Sequence, residues 1–229
     1  MPKRESALFS QVAPLHESRA GTWKERGLYA ITDGPRDDLL DAARAALEGG
    51  AVLLQYRDKS KDAQRRLREA RALVALCAGH SVPLIVNDDV ELAYISGSAG
   101  VHLGEHDGDI AAARAVLGDG ALIGVSCYDS LERAREAAAA GADYLAFGAF
   151  FPSPTKPNAR SATLQLLSDA RALGKPLVAI GGISADNGGQ LVAAGADYLA
   201  AISAVFGAYD IRTAAMRFSQ LFIDPRNPR

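Results

Sequence analysis

The sequence Ala-Gly-Ala-Asp-Tyr-Leu-Ala stands twice in this chain, at 140–146 and at 194–200. Each copy ends an alanine-rich stretch with helical periodicity and opens a short apolar run. A looser copy, Glu-Gly-Gly-Ala-Val-Leu-Leu, occupies 48–54. Glycine suits the left-handed turn that ends a helix, and a short apolar run is typical of a strand buried on both faces. The repeat therefore predicts a helix-to-strand connection that recurs along the chain.

Eight apolar runs of this kind occur in all. They occupy 28–32, 52–56, 83–87, 100–103, 122–126, 144–147, 177–180 and 198–202. Between them lie segments with helical periodicity at 37–47, 61–78, 90–96, 110–117, 130–140, 163–173 and 185–194. Strands that alternate with helices in this number predict a single (β/α)8 TIM barrel of the α/β class, and an open doubly wound sheet is the alternative.

The alternation also predicts the domain organisation and two helix starts. No linker interrupts it, so we expect one barrel at 27–223, with an N-terminal arm at 1–26 and a tail at 224–229. Ser60 is the candidate N-cap of the helix at 61–78, with Asp62 in its first turn, and Asp89 is the candidate N-cap of the helix at 90–96.

Composition excludes several classes of protein. The 229 residues are 48% hydrophobic and 23% charged, as in ordinary globular proteins. A formal charge of −2 favours neither nucleic acid nor an anionic membrane as partner. No apolar run approaches the roughly 18 residues of a membrane span. The two cysteines, Cys77 and Cys127, suggest neither a disulfide framework nor a zinc site, so we expect a cytoplasmic protein.

Three polar residues alternate at the end of the second predicted strand. In a barrel, chemistry concentrates in the loops after the carboxyl ends of the strands. Gln55, Arg57 and Lys59 occupy such a position, and their alternation directs the three side chains to the same side. Arg and Lys together predict binding of a polyanion, and a solvated strand end is the alternative.

Oxygen-bearing side chains follow the third and fourth predicted strands. Asn87 and Asp88 end the third, and Asp107 follows the fourth. Carboxylates suit Mg²⁺ that is shared with a phosphorylated substrate. An Asp at a strand end is also a common helix N-cap, and for that role we favour Asp89.

Two further segments predict contacts to substrate. Gly181 and Gly182 end the seventh predicted strand, and Ser203 follows the eighth, which is where many barrels bind phosphate, although a tight turn explains the glycines equally well. The loop at 148–159 brings Ser153, Thr155 and Lys156, and loops of this length often close over substrates, with a surface excursion as the alternative.

Together these clusters predict a site for two phosphorylated species, one of which carries more charge than a monophosphate. Departure of diphosphate assisted by Mg²⁺ fits best. His102 lies within a predicted strand, and we interpret it as a hydrogen-bonded core histidine. No arrangement typical of a covalent nucleophile emerges.

Several ordered motifs carry a resemblance to a known family. They are Leu-Tyr-Ala-Ile-Thr-Asp at 28–33, Gln-Tyr-Arg-Asp-Lys at 55–59, Asn-Asp-Asp-Val-Glu-Leu-Ala at 87–93, Gly-Val-His-Leu-Gly at 100–104, Ile-Gly-Val-Ser at 123–126, Phe-Pro-Ser-Pro-Thr-Lys-Pro at 151–157, Ala-Ile-Gly-Gly-Ile at 179–183 and Ile-Ser-Ala-Val at 202–205. The chain resembles thiamine phosphate synthase over 28–209. Members of that family join 4-amino-2-methyl-5-hydroxymethylpyrimidine diphosphate to a thiazole phosphate, which forms thiamine phosphate and releases diphosphate.

The resemblance implies a role for each matching residue. Asp88 and Asp107 would hold Mg²⁺. Ser126 would contact the leaving diphosphate or the reacting carbon. Contacts to the pyrimidine diphosphate are implied for Gln55, Arg57, Lys59 and Asn87. Roles in the lid, the diphosphate and the thiazole phosphate are implied for Ser153, Thr155, Lys156, Gly181, Gly182, Ile202 and Ser203, with Lys156 as a catalytic group. The family reaction needs no protein base.

Three departures from the family pattern keep alternatives open. Ser153 stands where Thr is frequent, Glu105 where Gln is common, and Tyr128 where a His usually follows the Ser by two residues. The thiazole tautomerase relatives use a His in that stretch, so Tyr128 disfavours them. A non-catalytic barrel that binds thiamine phosphates is a second alternative. A homo-oligomer and a thiazole substrate that carries a carboxylate are left open.

Overall fold

Eight parallel strands form a closed barrel in which each strand pairs with its neighbours in chain order and β8 pairs with β1. The computed structural model describes residues 26–152 and 160–223. The strands are β1 (Gly27–Ile31), β2 (Ala51–Tyr56), β3 (Leu84–Asn87), β4 (Gly100–Leu103), β5 (Leu122–Tyr128), β6 (Tyr144–Phe147), β7 (Leu177–Ile180) and β8 (Tyr198–Ala201).

Helices cover the outside of the barrel. They are α1 (Leu39–Glu48), α2 (Ala63–Gly79), α3 (Val90–Ser96), α4 (Ile110–Leu117), α5 (Leu131–Ala139), α6 (Leu164–Ala170), α7 (Gly189–Ala193), α8 (Ser203–Phe206) and α9 (Ile211–Ile223), with a 3₁₀ turn (Arg171–Leu173) after α6. Across 26–152 and 160–223, none of the helices has the length and apolar character needed to cross a bilayer. The cytoplasmic location stays a prediction.

Pairing of the first and last strands decides between the two expected architectures. Leu28 pairs with Leu199 and Ala30 with Ala201, so β1 and β8 join and the sheet has no edge. The (β/α)8 barrel is therefore confirmed, and the open doubly wound sheet is wrong. Most of the expected arm (1–25) and all of the tail (224–229) lie outside the described residues.

Some boundaries differ from those that periodicity predicts. β5 continues two residues beyond Ser126, because Tyr128 still pairs with Phe147 across a register irregularity. The helix expected at 185–194 is only the short α7, since the Asn187 side chain accepts from Ser184 N and donates to Gly182 O, which forms a turn instead. The helix α9, which we did not predict, packs on α1.

The two predicted N-caps have different outcomes. Asp89 caps α3 by accepting from Leu92 N at 2.9 Å, as expected. Ser60 does not cap α2: Asp62 does, and its carboxylate accepts from Arg65 N at 2.9 Å. Ser60 lies two residues before the N-cap position of α2, and its hydroxyl accepts from the Arg65 side chain at 2.6 Å.

Side chains of the strands form two apolar layers. Outward-facing residues such as Leu28 and Ala30 pack under the helices, whereas Tyr29, Ile31 and their neighbours fill the interior of the barrel. This alternation follows from the two-residue period of a strand. The interior also buries the polar side chains of Gln55 and His102. The interior of the barrel therefore holds polar groups beneath the opening at the carboxyl ends of the strands.

Gly100→Ala should destabilise the fold strongly. A Cβ at this position would overlap the backbone of Leu122 on the paired strand, which no side-chain rotation relieves. We expect a loss of about 3 kcal/mol, which lowers the melting temperature by about 6–12 °C. Gly79→Ala is the matched control, because nothing lies within 4 Å of its Cβ position. Thermal unfolding followed by circular dichroism tests this, and equal melting temperatures for the two variants would contradict it.

Candidate active site

A cavity of about 670 Å³ opens at the carboxyl end of the barrel. The described residues that sequence reasoning assigned to the site all line it: Gln55, Arg57, Lys59, Asn87, Asp88, Asp107, Ser126, Gly181, Gly182, Ile202 and Ser203. Ser153, Thr155 and Lys156 lie outside the described residues. The cavity therefore brings together side chains from loops that are far apart in the sequence.

Two carboxylates face each other at one side of the cavity, and we call Asp88 and Asp107 the acidic pair. Asp107 is held by Gly104 N, which donates to its Oδ2 at 2.8 Å. Asp88 has a left-handed backbone, with φ of 64°, and its N donates to His102 O at 2.9 Å. Burial, followed by the hydrogen bond and the charge of Asp107, raises the pKa of the Asp88 carboxyl. The arrangement concentrates negative charge where a cation would relieve it.

The acidic pair offers only two carboxylates, which suits Mg²⁺ better than a metal whose ligands all come from the protein. Within 26–152 and 160–223, no cluster of three or more His, Cys, Asp or Glu side chains is placed to hold a metal. Mg²⁺ usually takes one or two carboxylates and completes its shell with water and substrate phosphates. Two facing carboxylates beside an open cavity meet that requirement, and Asn87 adds an amide oxygen on the same rim.

Two cations, Arg57 and Lys59, line the same cavity as the acidic pair. The backbone of Arg57 is held by buried Thr32, whose Oγ1 accepts from Arg57 N at 2.9 Å. Lys59 Nζ lies 3.6 Å from Asp88 Oδ2, and the lysine side chain is 61% exposed. A second, more open cavity of about 540 Å³ adjoins here, and we call it the polar annex; its lining includes Lys59, Asn87, Asp88, Asp107 and Arg66. Opposite charges around one recess suit a polyanion that shares a cation.

A chain of hydrogen bonds crosses the interior of the barrel and ends at the cavity. Gln55 Nε2 donates to Tyr29 OH at 2.6 Å, and the hydroxyls of Tyr29 and Tyr144 are 2.9 Å apart. Tyr144 OH lies 3.1 Å from His102 Nδ1, and His102 Nε2 lies 2.9 Å from Ser126 Oγ. We call these five residues the interior chain. His102 is thus hydrogen-bonded, as expected.

Sequence reasoning missed both tyrosines of the interior chain. The sequence did contain a sign of this packing: Tyr144 opens a predicted strand, and a glycine, Gly124, stands on the preceding strand. A Cβ at Gly124 would overlap the Tyr144 ring, so this glycine makes room for the phenol. Burial raises the pKa of Tyr29 and of Tyr144, and both therefore stay protonated.

The glycine pair has a structural explanation of its own. Gly181 and Gly182 both have left-handed φ, of 101° and 62°. A Cβ on Gly182 would meet the backbone of Phe151 and Pro152 rather than open space. The tight turn therefore accounts for the glycines, although the pair still lines the cavity together with Ser203. A substitution of Gly182 would disturb the neighbouring loop and would not report on phosphate binding alone.

Glu105 and Tyr128, the two described departures from the family pattern, contact each other. Glu105 N donates to Tyr128 OH at 3.3 Å. Arg160, which sequence reasoning did not single out, pairs with the Glu105 carboxylate at 2.8 Å and lies 4.8 Å from the centre of the Tyr128 ring. The charge of Glu105 is thus paired with an arginine.

Glu105→Gln should leave the Mg²⁺ requirement almost unchanged. The carboxylate is already paired with Arg160, and this pair is half exposed, so its loss costs little. We expect the Mg²⁺ concentration for half-maximal activity to change by less than about twofold. Titration of the initial rate with Mg²⁺ measures it. A tenfold shift would mean that Glu105 acts on the metal directly.

The cysteines supply no nucleophile to this site. Cys77 and Cys127 are free and buried, and burial raises the pKa of each thiol to about 12. A thiol with such a pKa carries almost no thiolate at neutral pH. The chemistry of the cavity therefore depends on charges and hydrogen bonds.

A barrel that gathers cations, carboxylates and a buried polar chain at its carboxyl end defines a TIM-barrel enzyme acting on a small molecule. A family model described as thiamine monophosphate synthase matches residues 28–205. The chain belongs to the thiamine-phosphate synthase family, and it is a transferase of thiamine biosynthesis.

Similar proteins support this placement. The thiamine-phosphate synthase of Chromobacterium violaceum is 58% identical over 86% of this chain and 96% of its own length. That of Methylococcus capsulatus is 53% identical over 89% of this chain and 92% of its own. A solved structure, thiamine phosphate pyrophosphorylase from Pyrococcus furiosus, has a TM-score of 0.80 and 34% identity, and it covers 88% of this chain and 98% of its own.

Proposed function

We propose that this enzyme condenses 4-amino-2-methyl-5-hydroxymethylpyrimidine diphosphate with 4-methyl-5-(2-phosphoethyl)thiazole, or its carboxylate form, to give thiamine phosphate and diphosphate. The observation that carries the proposal is one cavity lined by Arg57, Lys59 and the acidic pair, with Lys59 Nζ 3.6 Å from Asp88 Oδ2. A diphosphate fits this recess because it can contact the cations directly and share Mg²⁺ with the carboxylates. The polar annex extends the recess on the same side.

The bond changes balance without a protein base. The bond between the pyrimidine methylene carbon and the diphosphate oxygen breaks, and its electron pair leaves with the diphosphate. The thiazole nitrogen then supplies its own lone pair to the methylene cation, and a carbon–nitrogen bond forms. No proton moves at the reacting atoms. Catalysis then consists of positioning and of stabilising the charge that grows on the leaving group.

The proposal gives each side of the cavity a task. Bound Mg²⁺ would supply charge neutralisation at the leaving diphosphate, and Asp88 and Asp107 would hold it. Arg57 and Lys59 bind the diphosphate, while Ser126 contacts it where the bond breaks. Pyrimidine contacts fall to Gln55 and Asn87. The thiazole phosphate falls to Gly181, Gly182, Ile202 and Ser203. Remaining diphosphate contacts are assigned from the family resemblance to Ser153, Thr155 and Lys156, which lie outside the described residues.

Incubation of the purified protein with both substrates and Mg²⁺ tests the proposal. We expect thiamine phosphate and diphosphate to appear in equal amounts, and omission of either substrate to stop both. Binding of thiamine phosphate without turnover would instead support the non-catalytic barrel. Isomerisation of a thiazole substrate without consumption of the pyrimidine diphosphate would support the tautomerase relatives. A run with the carboxylated thiazole decides which form is used. Homo-oligomerisation stays a prediction.

A further inference from the structure

We propose that His102 is a positioning residue, whose Nε2–H donates to Ser126 Oγ and thereby directs the hydroxyl proton of Ser126 toward the leaving diphosphate. The inference rests on the proposed function, because that function supplies the diphosphate which the hydroxyl would bind. It gives a role in the reaction to a histidine that its sequence position assigns to the core.

Two contacts and one stacking interaction hold the His102 ring in place. Nδ1 lies 3.1 Å from Tyr144 OH, and Nε2 lies 2.9 Å from Ser126 Oγ. The ring stacks on that of Tyr144, with centroids 5.6 Å apart and planes inclined by 23°. The residue is only 9% exposed. Rotation of the imidazole would break both hydrogen bonds in a buried place, so its orientation is set by the barrel.

The donor at the start of the interior chain favours one direction for the protons. Gln55 Nε2 donates to Tyr29 OH, and each buried phenol keeps a single proton to pass on. The proposed order continues with Tyr29 donating to Tyr144 and Tyr144 donating to His102 Nδ1, contacts whose heavy-atom positions allow either direction. A neutral imidazole that accepts at Nδ1 carries its proton on Nε2. In this arrangement Ser126 Oγ accepts from His102 Nε2–H.

The consequence concerns the proton of Ser126 itself. Since its oxygen accepts from Nε2–H, the serine hydroxyl is free to donate into the cavity that it lines. A donor that faces the leaving group stabilises the negative charge that grows there as the bond breaks. With the chain reversed, Ser126 would donate to His102 and would present lone pairs to an anion. The direction of the chain thus decides whether this serine assists or opposes departure.

Two amide variants separate the contacts of His102. The amide nitrogen of a glutamine reaches the place of Nε2 and can still donate to Ser126. An asparagine reaches only the place of Nδ1 and keeps the contact to Tyr144. We expect His102→Asn to lower kcat by about 10–100-fold with less than about threefold change in KM, and His102→Gln to stay within about fivefold of the parent. Equal losses in the two variants would overturn the proposal.

Coupling to Ser126 supplies the second test. If His102 acts through the serine, His102→Asn should lower kcat by less than about threefold in a Ser126→Ala background. A loss as large as in the parent would overturn the positioning role. Melting temperatures are measured for every variant. If the loss of kcat only follows the unfolded fraction, His102 has a structural role and the proposal is overturned.

The tautomer of His102 is measurable without any turnover. In protein labelled with ¹⁵N-histidine, two-dimensional NMR should show His102 as the Nε2–H tautomer, with its signals assigned by their loss in His102→Gln. An Nδ1–H tautomer would overturn the inference whatever the activity. If the parent enzyme shows the Nε2–H tautomer but forms no thiamine phosphate, the proposed function is overturned. The role of Ser126 toward diphosphate is then overturned as well. The two failures are therefore distinguishable.

Discussion

Asp88→Asn should abolish Mg²⁺-dependent turnover while the barrel stays folded. Asn keeps the size of the side chain and tolerates the left-handed backbone at this position, where φ is 64°, whereas Ala would add strain. It removes one of the two carboxylates that would hold the cation. We expect kcat/KM to fall by about 10³-fold or more, which is the scale of losing metal-assisted charge stabilisation.

Three measurements decide this prediction. The melting temperature without metal should equal or exceed that of the parent, because the variant removes repulsion between Asp88 and Asp107. Asp107→Asn should behave similarly, since its amide oxygen can still accept from Gly104 N. Asp119→Asn, at an exposed carboxylate on the opposite end of the barrel, is the control and should remain fully active. Full activity of Asp88→Asn, or of the parent in excess EDTA, would contradict the magnesium assignment.

Arg57→Ala should cause the second-largest loss. Arg57 lines the cavity from a half-buried position just after β2, where water screens its charge less than at the surface. We expect kcat/KM for the pyrimidine diphosphate to fall by about 10²–10³-fold, with KM and kcat both affected, because the cation binds diphosphate in the ground state and during departure. Arg57→Lys should recover only part of this, because an ammonium cannot reproduce the planar fork.

Two lysines of the same segment calibrate the effect of Arg57. Lys59→Ala should cost less than Arg57→Ala, since the Lys59 side chain is 61% exposed and its interaction with diphosphate is more screened by salt. Lys61 is exposed and does not line the cavity, so Lys61→Ala should be indistinguishable from the parent. Steady-state kinetics at two ionic strengths measure all four variants. Equal losses for Arg57→Ala and Lys61→Ala would show that general positive charge, and no specific contact, is responsible.

The sequence predicted those site residues whose location depends only on where a strand ends. Carboxyl ends of parallel strands meet at one end of a barrel, so Gln55, Asn87 and Ser126 had to approach each other once the strands were located. Residues that depend on packing were not predictable in the same way. Arg160 pairs with Glu105 across 55 positions, and its neighbours in the sequence show no pattern that would have selected it.

Local sequence determined the strands, most of the helices and the fold class. Two signals predict these elements: the spacing of the apolar residues and the glycine at each helix-to-strand connection. Both depend on a few neighbouring residues, so they are visible in a repeated heptapeptide. The failures have one local and one tertiary cause. At 185–194 a side-chain turn at Asn187 competes with helical periodicity, and at Ser126 the strand continues because a partner strand is present.

Only the tertiary structure decided closure of the sheet and the contacts that closure creates. The hydroxyls of Tyr29 and Tyr144 meet across 115 positions, and His102 reaches Ser126 across 24. Such contacts depend on the register of paired strands and on the stagger with which the barrel closes, and no local propensity encodes either. The sequence alone determined which polar groups end each strand, whereas the curvature of the closed sheet decided which of them form hydrogen bonds in its interior.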